Sequence, residues 1–573
     1  MRYKATAVSD GIAIGEVFQY RPYVPTIIEG TVPADKLAGE LARYEAAQQL
    51  AKTELEAIRE KLTETDPEKA KIFTAHLEIL FDVAIDEDLR EEIAGECYTA
   101  EWAVHCSYER FIKAISRSKN ELIRERAADM RDVKARVLRC MAGVPERNLA
   151  VLQTPVVIVA YDLFPSDTAT LDRSKVLAII TEIGGSTSHS AIIARSYEIP
   201  ALLGLSGALE LLPTKGNVIV DALTGLIITD PTADEIAEYQ NKQQKFALKR
   251  AETKKYLGVE GKTSDGVRVE VELNIGSAGE QELECSRYTD GVGLFRTEFF
   301  YMGKSALPTE EEQYDMYKKV LLEYGERPVT IRTLDIGGDK KLDCMELPVE
   351  DNPFLGNRAL RLCFTQPEVF KTQLRACLRA SVHGNLWLMF PMVGSLDDIR
   401  RAKAALAEAK AELTAEGIAY SSRMKVGIMI EIPSIALLAD RAAQEVDFAS
   451  IGTNDLTQYT TAVDRLNPAV SSYYQTYSPA LFRLIGYVVE QFNLAGKPIC
   501  VCGEMGGDKL AAPVLLGLGM RRLSMGAASV AQIKRILSGI TIADAERLAS
   551  KAKSLCTAAE VEQMLRAELA EFL

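Results

Sequence analysis

Apolar positions recur at helical spacing through a long segment near the start of the chain. The stripe comprises Leu41, Tyr44, Ala51, Leu55, Ile58 and Leu62. Glu, Lys and Gln occupy positions between them, which predicts an amphipathic helix from about Glu40 to the helix-breaking pair Asp66-Pro67. Further helical segments, separated by acidic turns, continue to about Arg147. Residues 1–20 instead predict one or two short strands, so the pattern indicates a helical bundle inserted after the first strand.

The pattern changes to short, β-branched apolar runs between Val151 and Pro231. These runs are PVVIVA, VLAIIT, ALLGL and NVIVDALTGLIITDP, with turn residues between them. Such runs predict a small α/β unit. Residues 232–258 follow as a polar stretch rich in Lys and Glu, without Pro and without Gly before Gly258. This composition predicts a helical connector between two halves of the chain.

The remainder of the chain, from Val267 onward, alternates short buried-strand candidates with helical stretches. The candidates are VRVEVELNI, GVGLFR, PVTIRTL, NLWLMFP, VGIMIEI, DFASIG, PICVCGE and RRLSM. A strand and a helix that repeat about eight times over about 300 residues predict a (β/α)8 barrel. The chemistry of such barrels lies at the C-terminal ends of the strands.

Polar residues are concentrated at or just past those predicted strand ends. They are Arg296, Arg332, Glu431, Asn454, Asp455 and Cys502. Arginine binds carboxylate and phosphate groups through two parallel hydrogen bonds, and Arg465 and Arg358 are further candidates for this role. Two carboxylates on separate strand ends, Glu431 and Asp455, suit Mg2+, although Asp455 is also placed to cap the next helix. The pattern predicts an anion and metal site.

Composition narrows the class of protein without changing this picture. The chain has 573 residues, 47% of them hydrophobic and 26% charged, so we expect a multidomain globular protein. A net charge of −14 argues against a nucleic-acid partner. The opening residues contain no apolar run of signal-peptide length, no stretch elsewhere approaches the length of a membrane span, and the ten cysteines form no CxxC pair. These features predict a cytoplasmic protein with reduced thiols.

A Gly-rich turn precedes a predicted helix after the strand VLAIIT. It runs from Gly184 and Gly185 through Ser186, Thr187 and Ser188 to His189. Backbone N–H groups and hydroxyls at a helix N-terminus bind phosphate, and neutral imidazole is nucleophilic near neutral pH. His189 is therefore a candidate phosphoryl acceptor. The alternative, a histidine that only caps an ordinary turn, is the better explanation for a lone GG-x-x-x-H.

The full segment GGSTSHSAIIARSYEIPALLG resembles the phosphohistidine motif of three enzymes. They are enzyme I of the sugar phosphotransferase system, pyruvate phosphate dikinase and phosphoenolpyruvate synthase. The upstream segment DLFPSDTATLD resembles the part of that family that places a threonine, here Thr168, beside the active histidine. Enzyme I sequences usually have a basic residue where this chain has Ser186. The other histidines, His76, His105 and His383, match no motif, and we expect structural roles for them.

The region after about residue 265 resembles the phosphoenolpyruvate-binding domain of enzyme I. The similar segments are IRTLDIGGDK, VGIMIEIPS, SIGTNDLTQYTTAVDR and CGEMGGD. The resemblance implies that the substrate is held by Arg296, Arg332, Asn454, Asp455 and Arg465. It implies Mg2+ ligation by Glu431 and Asp455, and hard oxygen ligands also accept Mn2+.

A proton donor is needed in this reaction, because loss of the phosphoryl group leaves the enolate of pyruvate. Cys500 and Cys502 point to the same face of an ideal strand, so geometry leaves both as candidates. The resemblance favours Cys502, since the family's matching cysteine is the donor.

Resemblance to enzyme I also implies a partner and a domain order. The helical insert matches the domain that docks the phosphocarrier protein HPr, and we expect a homodimer assembled through the barrel. The insert carries an acidic group that either attracts a basic partner or is only a solvated face: Asp82, Asp86, Glu87, Asp88, Glu91 and Glu92. The predicted parts are a phosphohistidine α/β domain (1–20 and 148–231), a helical HPr-binding domain (21–147), a helical linker (232–260) and a phosphoenolpyruvate-binding barrel (261–573).

The predicted function is phosphoenolpyruvate-protein phosphotransfer: self-phosphorylation on His189, release of pyruvate, and transfer to HPr at the start of sugar uptake. A dikinase or synthase needs an ATP-binding domain of several hundred residues before the histidine segment, and we expect none in the residues that precede it here. A nitrogen-type enzyme I has an additional N-terminal sensory domain, which we likewise do not expect. A rival of another class is a regulatory protein that senses phosphoenolpyruvate without turnover.

Overall fold

A computed structural model of the chain describes most of its residues. The described residues are 1–21, 27, 29–65, 67–116, 121–144, 149, 152, 154–163, 171–184, 189–197, 199–302, 304, 306–337, 345 and 350–572. The chain divides into two compact units, Met1–Arg250 and Ala251–Leu573.

An eight-stranded mixed sheet forms one part of the first unit. Its strands are β1 (Arg2–Lys4), β2 (Thr6–Ser9), β3 (Ile12–Tyr20), β4 (Val156–Ala160), β5 (Val176–Thr181), β6 (Ala201–Leu203), β7 (Asn217–Asp221) and β8 (Leu226–Thr229). Their order in the sheet is β1-β8-β7-β3-β4-β5-β6-β2, parallel from β3 to β6 and antiparallel at the other pairings. Every residue of β4 is buried, as expected for a strand covered on both faces.

Helices of the first unit fall into a bundle and a smaller group beside the sheet. The bundle helices are Leu37–Thr65, Pro67–Leu80, Val83–Ala94, Ala100–Ser116 and Glu121–Met141. The others are His189–Ser196, Ala208–Leu211 and Ala233–Lys254, the last of which ends four residues beyond Arg250 in the second unit. Leu55, Leu89 and Val133 are completely buried in the bundle core. The predicted helical insert is confirmed, a helix occupies most of the predicted connector, and the first 20 residues form three strands where one or two were expected.

A closed barrel of eight parallel strands forms the centre of the second unit. The strands are β9 (Glu270–Ile275), β10 (Val292–Arg296), β11 (Pro328–Arg332), β12 (Asn385–Phe390), β13 (Lys425–Ile430), β14 (Phe448–Ile451), β15 (Ile499–Val501) and β16 (Arg522–Met525). Seven lie within the predicted segments, β13 begins one residue before its segment VGIMIEI, and β9 closes the barrel against β10 and β16. The predicted (β/α)8 barrel is therefore confirmed.

Helices surround the barrel and follow its strands. They are Glu280–Leu283, Glu298–Tyr301, Glu310–Tyr324, Leu360–Thr365, Pro367–Ala380, Leu396–Ala415, Pro433–Leu437, Ala439–Glu445, Thr453–Thr461, Pro479–Leu494, Ala511–Gly517, Ala527–Gly539, Ile542–Ser554 and Ala558–Glu568. Across the described part of the chain, no helix has both the length and the apolarity needed to span a bilayer. The limits of the four predicted parts stay a prediction.

Candidate functional site

Arg332 ends β11 at the carboxyl end of the barrel and is almost completely buried. Its Nη2 donates to Glu298 Oε1 over 2.5 Å and lies 3.1 Å from Asp335 Oδ2. Burial acts to lower the pKa of Arg332, but these two carboxylates outweigh it and hold that pKa above its ordinary value. The guanidinium is therefore fixed and permanently charged, while its Nε has no hydrogen-bond partner among the described residues.

Arg296 ends the neighbouring strand, β10, directly opposite Arg332 in the parallel register. Its guanidinium lies 4.7 Å from the centre of the Phe299 ring. Within the described part of the structure its buried Nε has no hydrogen-bond partner. Burial lowers the pKa of Arg296, and neighbouring Arg332 lowers it further, against the opposing effect of Glu298. A cation in this state is stabilised by any anion that binds beside it.

Asp455 connects two further arginines at the start of the helix Thr453–Thr461. Arg465 Nη1 donates to its Oδ1 over 2.8 Å, and Arg358 Nη2 lies 3.3 Å from its Oδ2. Arg358 also donates to Asp335 over 2.9 Å and to the Tyr459 hydroxyl over 3.2 Å. Only 1% of Arg358 is exposed, so its contacts are those of a brace that holds Asp455 and Asp335.

Glu431 follows β13 and is also almost completely buried. Its Oε1 accepts a 2.6 Å hydrogen bond from the backbone N–H of Met392, which adopts a left-handed conformation with φ of 52°. Burial raises the pKa of Glu431 to about 8, and the charges of Asp455 and Asp335 act in the same direction. A cation near Glu431 and Asp455 therefore has a favourable electrostatic position.

The donor set near Glu431 fits a hard divalent cation. Carboxylate oxygens are the ligands that Mg2+ prefers, and Mg2+ commonly takes one or two carboxylates and completes its shell with water and phosphate oxygens. Among the described residues no group of three or more His, Cys, Asp or Glu side chains is arranged to hold a metal. The two carboxylates, Glu431 and Asp455, suit a shared rather than a closed metal site.

Asn454 lies where the turns after β14 and β15 approach each other. Its Oδ1 accepts a hydrogen bond of 3.0 Å from the backbone N–H of Glu504, and its carbonyl accepts one from Tyr474. A Cβ at Gly503 would lie only 2.0 Å from Thr453 Oγ1, so this approach requires glycine there. The contact holds the Asn454 turn against the loop that follows Cys502.

Cys500 and Cys502, which strand alternation alone left equivalent, have different surroundings. Cys500 Sγ lies 3.3 Å from Glu272 Oε2, and Glu272 is paired with Arg522 at the first residue of β16. Burial raises the pKa of Cys502 to about 12, and Arg332 and Glu431 also act on this thiol. Cys502 directly follows β15, and its Sγ lies 3.7 Å from the carbonyl of Ile451, the last residue of β14.

The phosphohistidine segment lies in the first unit. Strand β5 ends at Thr181 and the next helix begins at His189, as the strand-turn-helix prediction requires. Ser190 Oγ donates to Asp162 Oδ1 over 2.9 Å, which ties the start of this helix to the segment that contains Thr168. Thr168, Ser186, Thr187 and Ser188 lie outside the described residues, as does the His189 side chain. Their predicted roles stay predictions.

The other three histidines have structural surroundings. His76 Nε2 lies 3.3 Å from Asp129 Oδ1, and the His105 ring stacks on Trp102 with 5.3 Å between ring centres. His383 Nε2 lies 2.9 Å from the Tyr314 hydroxyl. These contacts agree with the expectation that none of the three carries a phosphoryl group.

Four members of the acidic group on the helical insert are engaged within the bundle. Asp82 caps the helix Val83–Ala94, and Asp86 pairs with Arg90. Arg110 pairs with both Asp88 and Glu92. Glu87 and Glu91 are exposed. Contacts within the bundle therefore account for four of the six carboxylates. Only Glu87 and Glu91 are left as candidates for attracting a basic partner.

Glu298 and Asp335 belong to the site but were not among the site residues predicted from the sequence. Both are buried acidic residues that fix arginines, and both stand close to those arginines in the sequence, in GLFRTEF and TIRTLDIGG. Each lies two or three positions after a predicted anion-binding arginine, and this spacing could have predicted both. Gln373 was also missed; its signal is a glutamine on the otherwise apolar, buried face of the helix Pro367–Ala380.

Comparison with known proteins agrees with this geometry. Models of PEP-utilising enzymes match three regions: the N-terminal domain over residues 4–126, the mobile domain over 152–225 and the PEP-binding domain over 250–542. A phosphoenolpyruvate-protein phosphotransferase of Bacillus sp. strain S is 45% identical over 561 residues, 98% of this chain and 97% of that relative. One of Listeria innocua is 44% identical over 99% of each chain. One of Bacillus subtilis is 44% identical, over 97% of this chain and 98% of its own. The chain therefore belongs to the phosphoenolpyruvate-protein phosphotransferase family of PEP-utilising enzymes.

Proposed function

We propose that the chain takes the phosphoryl group of phosphoenolpyruvate onto His189, releases pyruvate and passes the phosphoryl group to a partner protein. The observation that carries the proposal is the opposed pair of cations Arg296 and Arg332 at the carboxyl end of the barrel, of which the described carboxylates form ion pairs with Arg332 and none with Arg296. A phosphate and a carboxylate on one small molecule are the groups that such a cluster binds.

Substrate binding uses the fixed cations of the barrel. Arg296, Arg332 and Arg465 hold the phosphate and carboxylate of phosphoenolpyruvate, with Asn454 and Asp455 beside them. Arg358 was expected to contact the substrate; its contacts with Asp335 and Asp455 support a bracing role instead. Arg332 and Arg465 are already held by carboxylates and lose little side-chain freedom when the substrate binds, which supports tight binding.

Glu431 and Asp455 hold Mg2+, or Mn2+ in its place. When bound, the metal neutralises negative charge on the phosphate and orients it. Ligation by Glu431 would require its ionised form, and the raised pKa means that this carboxyl carries a proton at neutral pH before a cation is bound.

Phosphoryl transfer and proton transfer together balance the reaction. A ring nitrogen of neutral His189 forms the new P–N bond as the bond between phosphorus and the enol oxygen breaks. The electron pair of that bond leaves with the enolate of pyruvate, whose methylene carbon takes a proton from the Cys502 thiol. The thiolate then regains a proton from water. A thiol whose pKa is about 12 is protonated at neutral pH, which supports its role as the acid.

The partner is the phosphocarrier protein HPr, docked on residues 21–147 of the helical bundle. His189 belongs to the first compact unit and the barrel arginines to the second, and the proposal requires the histidine to react with both phosphoenolpyruvate and HPr. A homodimer through the barrel and a cytoplasmic location complete the proposal. No second function is favoured by a specific contact.

The test is a stoichiometric assay with phosphoenolpyruvate, Mg2+ and HPr. The proposal predicts equal amounts of pyruvate and phosphorylated HPr, both dependent on the chain. A regulatory sensor would instead bind phosphoenolpyruvate and release no pyruvate. A dikinase would form ATP when AMP and pyrophosphate are supplied, and either result would contradict the proposal.

A further inference from the structure

A completely buried glutamine, Gln373, joins the two loops that follow the arginine-bearing strands. It lies on the helix Pro367–Ala380, outside the barrel wall. Its Oε1 accepts from the backbone N–H of Leu334, two residues after Arg332, over 2.8 Å. Its Nε2 donates to Thr297 Oγ1, one residue after Arg296, over 3.1 Å. One side-chain amide therefore contacts both loops.

The directions of these hydrogen bonds are determined by the partners. Because a backbone N–H can only donate, the amide oxygen of Gln373 must face Leu334, and its NH2 group must face Thr297. Thr297, which accepts that bond, donates its own proton to the carbonyl of Arg332 over 2.9 Å. The chain of bonds runs from Gln373 through Thr297 to the backbone of Arg332.

The second N–H of Gln373 is also used. It donates to the Tyr317 hydroxyl over 3.2 Å, and Tyr317 donates to Gln313 Oε1, also over 3.2 Å. Thr297, Tyr317 and Gln373 are all completely buried. A satisfied polar network in a dry environment resists displacement, because any shift leaves a buried group without its partner.

We propose that Gln373 is a positioning residue for the substrate site: through Thr297 and Leu334 it fixes the relative height of the ends of β10 and β11, and so the spacing of the Arg296 and Arg332 side chains. Gln373 itself touches no substrate. The inference rests on the proposed function, in which those two arginines bind phosphoenolpyruvate. Bidentate binding of one small dianion by two arginines depends on their spacing, and displacements of about 1 Å are costly.

Gln313 provides a matched control. It too is a buried glutamine, and it accepts from Tyr301 and Tyr317 and donates to the Pro308 carbonyl over 3.1 Å. It contacts neither Thr297 nor Leu334 among its described hydrogen bonds. Gln313→Met and Gln373→Met therefore remove the same chemical group from the same network, and only Gln373→Met removes the link to the arginine-bearing loops.

The experiment compares the two variants in steady-state phosphorylation from phosphoenolpyruvate. We expect Gln373→Met to raise KM for phosphoenolpyruvate about tenfold, with a smaller change in kcat, while Gln313→Met keeps the parent KM. Both variants lower the unfolding temperature. Equal KM values for the two variants overturn the proposal.

Thr297 supplies a second, independent comparison that decides the question even where Gln373→Met does not fold. Thr297→Val removes the hydroxyl between Gln373 and the Arg332 carbonyl, whereas Thr297→Ser keeps it. We expect a raised KM for Thr297→Val and the parent value for Thr297→Ser; an unchanged KM in Thr297→Val overturns the proposal. Arg332→Met tests the proposed function separately. If Arg332→Met keeps the parent KM, the proposed substrate site is wrong. If Arg332→Met raises KM but Gln373→Met does not, only the positioning role of Gln373 is contradicted.

Discussion

Arg296 and Arg332 stand opposite each other at the ends of two paired parallel strands. Two adjacent cations repel, and the protein neutralises them unequally: Glu298 and Asp335 pair with the buried Arg332, while Arg296 is partly exposed. The Nε of Arg296 has no hydrogen-bond partner in the described part of the chain, and burial lowers the pKa of this residue. The arrangement stores an electrostatic cost that a bound dianion removes.

Replacing Arg296 separates binding from stability. Arg296→Met removes a cation that forms no ion pair with the described residues, so we expect KM for phosphoenolpyruvate to rise roughly 100-fold. The unfolding temperature should stay the same or rise, because burial already disfavours this charge. Arg327→Met is the control: Arg327 donates to the carbonyls of Tyr324 and Thr289, before β11 begins. It should lower the unfolding temperature and leave KM unchanged; the reverse pattern would contradict this account.

Glu431 predicts a specific dependence of stability on pH. Its pKa is raised to about 8 in the folded chain, chiefly by burial, so the unfolded chain ionises first as pH increases. The unfolded state then binds fewer protons, and the free energy of unfolding falls between about pH 4.5 and pH 8. Glu431→Gln should flatten this decline in metal-free denaturation curves. An identical decline in the variant would show that other groups cause it.

Mg2+ binding should be linked to the same proton. Calorimetric titrations at about pH 7 in buffers with different ionisation enthalpies should detect release of up to one proton per Mg2+ bound. The affinity should increase as pH rises toward about 8, because the ionised form of Glu431 is the ligand. Proton release that persists in Glu431→Gln would argue against this assignment.

The two neighbouring thiols should behave differently when removed. Cys502→Ala takes away the acid that protonates the enolate, so we expect pyruvate formation to fall about 100-fold or more. Cys500→Ala removes a thiol that contacts Glu272, and it should retain pyruvate formation. Deuterium incorporation into the methyl group of pyruvate, followed by NMR in heavy water, measures the protonation step directly. Equal losses in the two variants would contradict the assignment.

Charge reversal on the bundle should separate partner attraction from folding. Glu87 and Glu91 are exposed, so the double variant Glu87→Lys/Glu91→Lys should slow HPr phosphorylation at low salt and leave self-phosphorylation unchanged. Glu92→Lys is the structural comparison. Glu92 is buried and paired with Arg110, so its replacement should destabilise the bundle. An unchanged rate in the double variant would assign all six carboxylates to structural or solvated roles.

Local patterns were sufficient for the fold. All eight barrel strands coincide with the predicted segments to within one residue, because apolar runs bounded by turn residues specify buried parallel strands. The helical stripe around Leu55 likewise predicted a bundle helix whose core face is buried. The first 20 residues were less informative: β1 and β2 are only three and four residues long, too short for a periodic signal.

Site residues could be predicted from the sequence only where they stand at the end of a recognisable strand segment. Arg296, Arg332, Glu431, Asn454, Asp455 and Cys502 all stand at the carboxyl end of the barrel, as expected from the strand ends. The contacts that restrain them are long-range: Gln373 lies 76 residues from Thr297, and Arg358 lies 97 from Asp455. The number of residues between two positions does not tell how close they lie in the fold. These contacts could therefore be identified only from the structure.

The most direct test of the account is the location of the phosphoryl group after incubation with phosphoenolpyruvate and Mg2+. Peptide mass spectrometry under neutral conditions should find one acid-labile phosphate on His189. His189→Ala should remain unphosphorylated while it still binds phosphoenolpyruvate, and His76→Ala should be phosphorylated like the parent chain. Phosphate on another residue, or none on His189 while pyruvate is released, would contradict the central claim.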